Sequence, residues 1–272
     1  MKKRKLHISR YEVSGPVDMT VAVVADLHGR DPDACLEALA DEKPDLICVA
    51  GDAMETAQLQ GVPGDDGANA KGGLLHRFLH LIDSLAYRRG RATDGQALSY
   101  AKRFFRAASK IAPVLYATGN HDFWLTAEDR RIVARAGARL LLNSSATLRF
   151  GDARVEVGAL TSRAGVDWLP RFARRPGYRI LLCHRPEYYE RYIRAHDIPL
   201  VLSGHAHGGQ WRVLGRGIYS PGQGLFPRYT RGLYDGRLVV SAGLANTANL
   251  PRINNPVELV VVRVRGAKNA EG

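Results

Sequence analysis

The chain has 272 residues, 45% hydrophobic, 24% charged and 8% aromatic, which excludes global disorder, collagen and coiled coil and suffices for a sizeable core. Lys and Arg total 39 against 27 Asp and Glu, a net charge of +12, so the surface field should attract anions such as nucleic acid, acidic headgroups or phosphorylated small molecules. No apolar stretch approaches the roughly 18 residues that cross a bilayer, and a spanning chain is not expected.

The opening Lys2-Lys3-Arg4-Lys5 resembles the charged end of a signal peptide. The following Leu6 to Val13 alternate with His7, Arg10 and Glu12 in place of an apolar core, so export is not indicated and a solvated start is expected. Thr20 to Ala25, Asp33 to Asp41 and Leu46 to Val49 read as strand, helix and strand, the unit of a parallel sheet. Turn formers crowd Gly61 to Gly73, which predicts a flexible glycine-rich insertion at about residues 56–73 of a single domain spanning 1–272. An amphipathic stretch near Tyr100 to Lys110, a strand at Pro113 to Ala117 and a helix at Ala127 to Ala136 closed by Gly137 come next. Strands follow at Thr147 to Phe150, Arg154 to Val157, Arg179 to Cys183, Pro199 to Leu202, Arg237 to Ser241 and Val257 to Val264. This pattern predicts a mixed α/β sandwich, with helices outside two packed sheets. Cys35, Cys48 and Cys183 have no C-x-x-C spacing, and two sit inside apolar runs; reduced core thiols in a cytosolic compartment are expected.

Five polar clusters each end an apolar run, where an open α/β sheet ordinarily places its ligands. They are Asp26-Leu27-His28, Gly51-Asp52, Gly119-Asn120-His121-Asp122, Cys183-His184 and Gly204-His205-Ala206-His207-Gly208. In extended backbone, D-x-H and H-x-H pairs project both side chains to one face, so each pair can grip one centre. Any single pair is equally consistent with a capping Asp or a surface His.

In this order the clusters resemble the calcineurin-like metallophosphoesterase signature, from about Thr20 to Gln210. The resemblance implies a four-layer α-β-β-α sandwich of two mixed sheets and a dinuclear centre. Asp26, His28, Asp52 and His207 would hold one ion, and Asp52, Asn120, His184 and His205 the other, with Asp52 bridging. His121 would face the substrate and donate a proton to the leaving oxygen, with Asp122 orienting or charging its imidazole. Mixed carboxylate, amide and imidazole ligands suit divalent Mn, Fe or Zn better than Mg. Paired ions can grip phosphoryl oxygens and lower the pKa of a shared water towards about 7 for in-line attack.

Ser203 to Gln210, with Gly243-Leu244 and Pro251-Arg252 ahead of Pro256 to Leu259, looks like a bacterial branch of membrane-associated phosphodiesterases related to UDP-diacylglucosamine pyrophosphatases. Ala206 stands where that branch usually has Thr, and the hydrophobic or twin-arginine leader of many members is not seen. The branch favours a phosphodiester or pyrophosphate, on a nucleotide-linked or lipid substrate, with Arg252 as a substrate-binding candidate. Expected partners are a phosphorylated small molecule or lipid and, peripherally, an anionic membrane at the inner face of a cytoplasmic compartment. A metal-dependent nuclease is an alternative that lacks the aromatic and basic interleaving of a strand-binding groove. A non-catalytic scaffold is another, disfavoured by the complete ligand set.

Other features have plainer readings. His76 and His80 are spaced as in a zinc-protease helix, but Arg77 occupies the place of its Glu base. Gly67 to Gly73 mimics a P-loop without its Lys and Ser or Thr, and no G-x-S-x-G is present. Trp124, Trp168 and Trp211 are expected in the core. Arg171, Arg174, Arg175, Arg212, Arg216, Arg228 and Arg231 are candidate anion contacts, most of them expected as solvated surface.

Overall fold

The computed structural model describes residues 6–55, 94–161, 163–220, 222–245 and 251–266. The Lys2 to Lys5 run, the Gly61 to Gly73 stretch, and His76 with His80 lie outside the described residues.

Strand β1 (His7–Gly15) forms from the alternating stretch after Leu6, to which the sequence pattern alone gives no element. It is an edge strand, and alternation is what one buried and one wet face require. Strand β2 (Met19–Val24), helix α1 (Asp33–Glu42), strand β3 (Leu46–Ala50), helix α2 (Asp94–Ile111) and strand β4 (Val114–Ala117) follow. Helix α3 (Ala127–Arg135) starts at a capping box, in which the Thr126 hydroxyl accepts from Asp129 N and the Asp129 carboxylate accepts from Thr126 N. Gly137, at φ 88°, turns the chain into the short strand β5 (Ala138–Leu141), also unforeseen because charge interrupts its apolar residues.

Strands β6 (Ser145–Phe150) and β7 (Ala153–Leu160), helix α4 (Leu169–Ala173), and strands β8 (Tyr178–Cys183) and β9 (Leu200–Ser203) build the other half. Two small hairpins come next, β10 (Arg212–Val213) with β11 (Arg216–Gly217) and β12 (Tyr219–Ser220) with β13 (Gly224–Leu225). Strands β14 (Gly232–Tyr234), β15 (Leu238–Val240) and β16 (Glu258–Gly266) complete the order.

Among the described residues there are two six-stranded sheets, ordered β1-β16-β2-β3-β4-β5 and β14-β15-β9-β8-β7-β6. Both are mixed: β2, β3, β4 and β5 run parallel while β16 opposes β2, and β7, β8, β9 and β15 run parallel while β6 and β14 oppose their neighbours. The period of two along each central strand sorts side chains between layers. Val21, Val23, Leu46 and Cys48 meet Ile180, Leu182, Leu200 and Leu202 between the sheets. Ala22, Val24, Ile47 and Val49 instead face one stripe of α2, Ala101, Phe104, Phe105 and Ala108. Leu181, Cys183 and Val201 cover Leu169, Phe172, Tyr189 and Ile193 on the opposite outer face. The result is an α/β sandwich of four layers, helix on sheet on sheet on helix.

All three cysteines are free and buried. The tryptophans depart from expectation: Trp124 is half exposed, and Trp168 and Trp211 are partly buried. Trp168 stacks on Phe172 while the Trp211 indole donates to Pro251 O, since these residues sit in loops and turns beside the sheets. Arg231 is no solvated residue either, because its Nε lies 2.6 Å from the buried Glu258 carboxylate. No described helix is long and apolar enough to cross a membrane.

Candidate metal and catalytic site

The five clusters follow β2, β3, β4, β8 and β9, whose shared direction within each sheet delivers their C-terminal ends to one edge of the sandwich. The backbone there is not extended. Asp26, His28, Asp52, His205 and His207 all have left-handed φ values, between 45° and 64°. The extended-strand argument for pairing side chains therefore fails, and tight left-handed turns do the grouping. Such conformations are costly for non-glycine residues and concentrate at functional sites. Interloop bonds hold them, including Asp26 N to Gly51 O at 3.1 Å, His28 N to Asp52 O at 2.9 Å and Ala245 N to Asp26 O at 2.8 Å. Gly119 is required by proximity, since a Cβ there would stand 2.1 Å from Asp52 Oδ1.

Asp26, His28, Asp52, His184, His205 and His207 are all buried and converge. Three groups have ligand atoms within 4.8 Å of one another: Asp26, His28 and His207; His28, Asp52 and His121; Asp52, His184 and His205. Asp52 Oδ2 lies 3.8 Å from His28 Nε2 and 3.1 Å from His184 Nε2, and Asp26 Oδ1 lies 3.7 Å from His28 Nε2 and 3.9 Å from His207 Nε2. Asn120 Oδ1 is 3.1 Å from His184 Nε2, joining the second group.

These residues suit divalent cations. His28 Nε2, Asp52 Oδ2 and His205 Nε2 are buried with no hydrogen-bond partner, a costly arrangement that a cation would relieve. The Asp52–His184 pair is close enough to attract but not aligned to bond. His184 Nδ1 faces Ala50 O at 2.8 Å and His28 Nδ1 faces Glu55 Oε1 at 2.7 Å; donating there leaves each Nε2 lone pair turned inward. Burial above all, with the nearby Arg185 and His184 charges, holds His205 well below the usual imidazole range. Burial, with His28 and Arg252, takes His207 to about 3 despite Asp26, so both rings offer neutral donors. Burial opposes charge on Asp52, but His184 and His121 outweigh it and hold that carboxyl far down. Burial also opposes charge on His28 and His184, yet the surrounding carboxylates raise them to about 10 and about 9. Cation binding would displace those protons.

His121 is partly exposed, with its backbone N–H donating to Asp52 Oδ1 at 2.8 Å. The Asp122 carboxylate is buried and accepts from Ala53 N at 2.8 Å, Met54 N at 3.3 Å, Gly119 N and the Tyr116 hydroxyl. It joins the loops after β3 and β4. Glu55, which the motif reading misses, stands 3.5 Å from His121 Nδ1 through Oε2 while its other oxygen holds His28. The available signal was a second carboxylate three residues beyond Asp52. Glu187, whose Oε1 lies 3.9 Å from His205 Nε2, was missed as well.

Arg252 is buried. It donates to Gly243 O at 3.3 Å, Pro256 O at 3.4 Å and Ala245 O, with Nη2 at 3.3 Å from His207 Nδ1. The guanidinium pins the segment behind His207.

The family model for calcineurin-like phosphoesterases matches residues 19–209. An uncharacterized metallophosphoesterase of Campylobacter jejuni, Cj0846, is 30% identical over 177 residues, 56% of this chain and 42% of that protein. The chain thus spans less than half of that relative's length. The uncharacterized protein YpbG of Bacillus subtilis is 23% identical over 219 residues, covering 78% of this chain and 70% of YpbG. A solved archaeal phosphodiesterase superposes with a TM-score of 0.40 at 10% identity, covering 83% of this chain and 85% of its own. The chain belongs to the calcineurin-like phosphoesterase family.

Proposed function

We propose that the chain is a metal-dependent phosphoesterase that hydrolyses a phosphodiester or pyrophosphate bond. The observation that carries this reading is the buried cluster in which His28 Nε2, Asp52 Oδ2 and His205 Nε2 lack any hydrogen-bond partner. Asp26, His28, Asp52 and His207 would hold one divalent ion and Asp52, Asn120, His184 and His205 a second, with Mn, Fe or Zn suited to this donor set. When bound, such a pair supplies Lewis-acid sites for phosphoryl oxygens and a water of lowered pKa.

The chain's own residues complete the chemistry. Asp52 belongs to two of the three groups, one with His28 and His121 and one with His184 and His205, and also accepts the His121 backbone N–H, so it fixes His121 relative to the ligands. Glu55 Oε2, 3.5 Å from His121 Nδ1, would orient the ring as it delivers a proton to the leaving oxygen. The sequence around Gly204 to Gln210, together with the net charge of +12, supports a nucleotide-linked or lipid substrate. Purified protein supplied with Mn should hydrolyse a chromogenic diester such as bis(p-nitrophenyl) phosphate. Asp52→Asn and His121→Ala should abolish that turnover while keeping the circular dichroism of the native chain. Turnover equal to wild type in either variant would overturn the assignment.

A further inference from the structure

Among the described residues, large exposed apolar side chains occur in the loop after β4 and in the segments that follow the His205–His207 loop. Phe123 and Trp124 follow His121 and Asp122 directly, and the others are Val213, Leu214, Leu225, Phe226 and Ile253. Single exposed apolar residues need no explanation, but a convergent rim of them does.

The β10–β11 hairpin grows out of the loop carrying His205 and His207, with Ile218 N bonded to Gly209 O at 3.1 Å and Arg212 Nη1 to Gly208 O at 2.8 Å. Ile253 O accepts from Arg212 N at 3.0 Å on one side, and Phe226 N donates to Ile218 O at 2.8 Å on the other. Ile253, the hairpin and Phe226 therefore occupy adjacent segments, each about 4.8 Å from the next. Leu214, 98% exposed at the hairpin tip, and Phe226, 76% exposed, protrude from this patch.

Residues 211–234 contain Arg212, Arg216, Arg228 and Arg231 and no Asp or Glu. Glu190 and Glu258 balance Arg228 and Arg231 at 2.6 Å each. Arg216 is exposed directly across from Val213, and Arg212 lies half-buried in the same hairpin with its guanidinium bonded to Gly208 O and Gly215 O. Both hairpins lie beyond residue 209, where the family match ends.

We propose that this rim docks on an anionic lipid bilayer, with Leu214 and Phe226 entering the boundary between headgroups and acyl chains and Arg216 meeting lipid phosphates, the charge of Arg212 behind it adding to the field. Protruding apolar tips beside cations suit a fluid, negatively charged surface, whereas a protein partner or a second copy would be met by a flatter, matched face. Docking places the metal-ligand loop at headgroup level. Resting on the phosphoesterase reading above, it makes the substrate class an amphiphile whose phosphoester lies at that depth.

The test is flotation of the full chain with vesicles of phosphatidylcholine and phosphatidylglycerol, against vesicles of phosphatidylcholine alone. The chain should float with the anionic vesicles only. A Leu214→Ser/Phe226→Ser double variant should lose at least ten-fold in the lipid-bound fraction while hydrolysing the soluble chromogenic diester with Mn at the wild-type rate. Wild type that stays unbound, a double variant that floats equally, or self-association lost in the double variant would each overturn the docking surface. Loss of docking with diester turnover intact leaves the phosphoesterase reading standing, and lipid binding without turnover under Mn, Fe or Zn removes that reading alone.

Discussion

Asp122 offers a sharp test, because its sequence position beside His121 and its place in the fold assign it different work. Replacing it with Ala strips the buried donors Ala53 N, Gly119 N and the Tyr116 hydroxyl of their acceptor. An unmet buried donor costs about 1–3 kcal/mol, so Asp122→Ala should lose roughly 3–6 kcal/mol. In a chain of this size that lowers the melting temperature by about 6–20 °C. Asp122→Asn keeps one acceptor oxygen and should fall between the two. Burial, and then the Asp52 charge, push the Asp122 carboxyl up to about 6 from 3.8. A carboxyl raised on folding contributes stability that is fully present below its unfolded pKa and lost as pH rises through the folded value. Asn has no such ionisation, so in metal-free buffer the gap between wild type and Asp122→Asn should narrow in favour of Asn as pH climbs from about 4 to about 7. Differential scanning fluorimetry across pH measures both effects. If Asp122→Ala melts with wild type while its kcat falls as far as that of His121→Ala, the carboxylate serves the catalysis and not the fold, and this reasoning is refuted.

Glu55→Gln should lower kcat about 10–100-fold, the usual cost of removing a carboxylate that orients a ligand or catalytic imidazole. Glu55→Gln turning over at the wild-type rate counts against the pairing. Gly119→Ala forces a methyl onto Asp52 Oδ1 and, at 2.7 Å, onto the His184 ring, and should cut turnover on the order of 100-fold with the fold retained. Gly95→Ala, whose Cβ meets nothing within 4 Å, is the neutral control. Burial pushes the Cys35 thiol up to about 12 and raises Cys48 and Cys183 as well. Ellman's reagent at pH 8 should therefore find no fast-reacting thiol in the native chain and all three in guanidinium; a rapid native reaction would show an open core.

The central strands were legible because residues buried on both faces of a parallel sheet form unbroken apolar runs, as Val21 to Ala25 and Leu46 to Ala50 do. The polar cluster ending each run was legible for the same reason. Strand β1 was not, because its pairing with β16 joins His7 to Glu258, a partner that no local pattern identifies. The grouping of Asp26 with His28 came from left-handed turns held by bonds between loops, which a rule of alternation does not contain. Glu55, given no role by the motif, reaches His121 because the path of each loop, and not adjacency in sequence, decides which carboxylates come near the imidazole. Arg252 likewise turned inward, drawn by the carbonyls of Gly243 and Ala245.

The claim on which the rest depends is that the buried cluster around Asp52 holds a pair of divalent cations. Isothermal titration of Mn into metal-free protein, with the melting temperature followed in parallel, tests it most directly. The account predicts saturable binding of a pair of ions per chain, a rise in melting temperature from binding to the native state, and loss of both effects in Asp52→Asn. Neither heat nor a melting shift with Mn, Fe or Zn, or Asp52→Asn binding as wild type does, would contradict it.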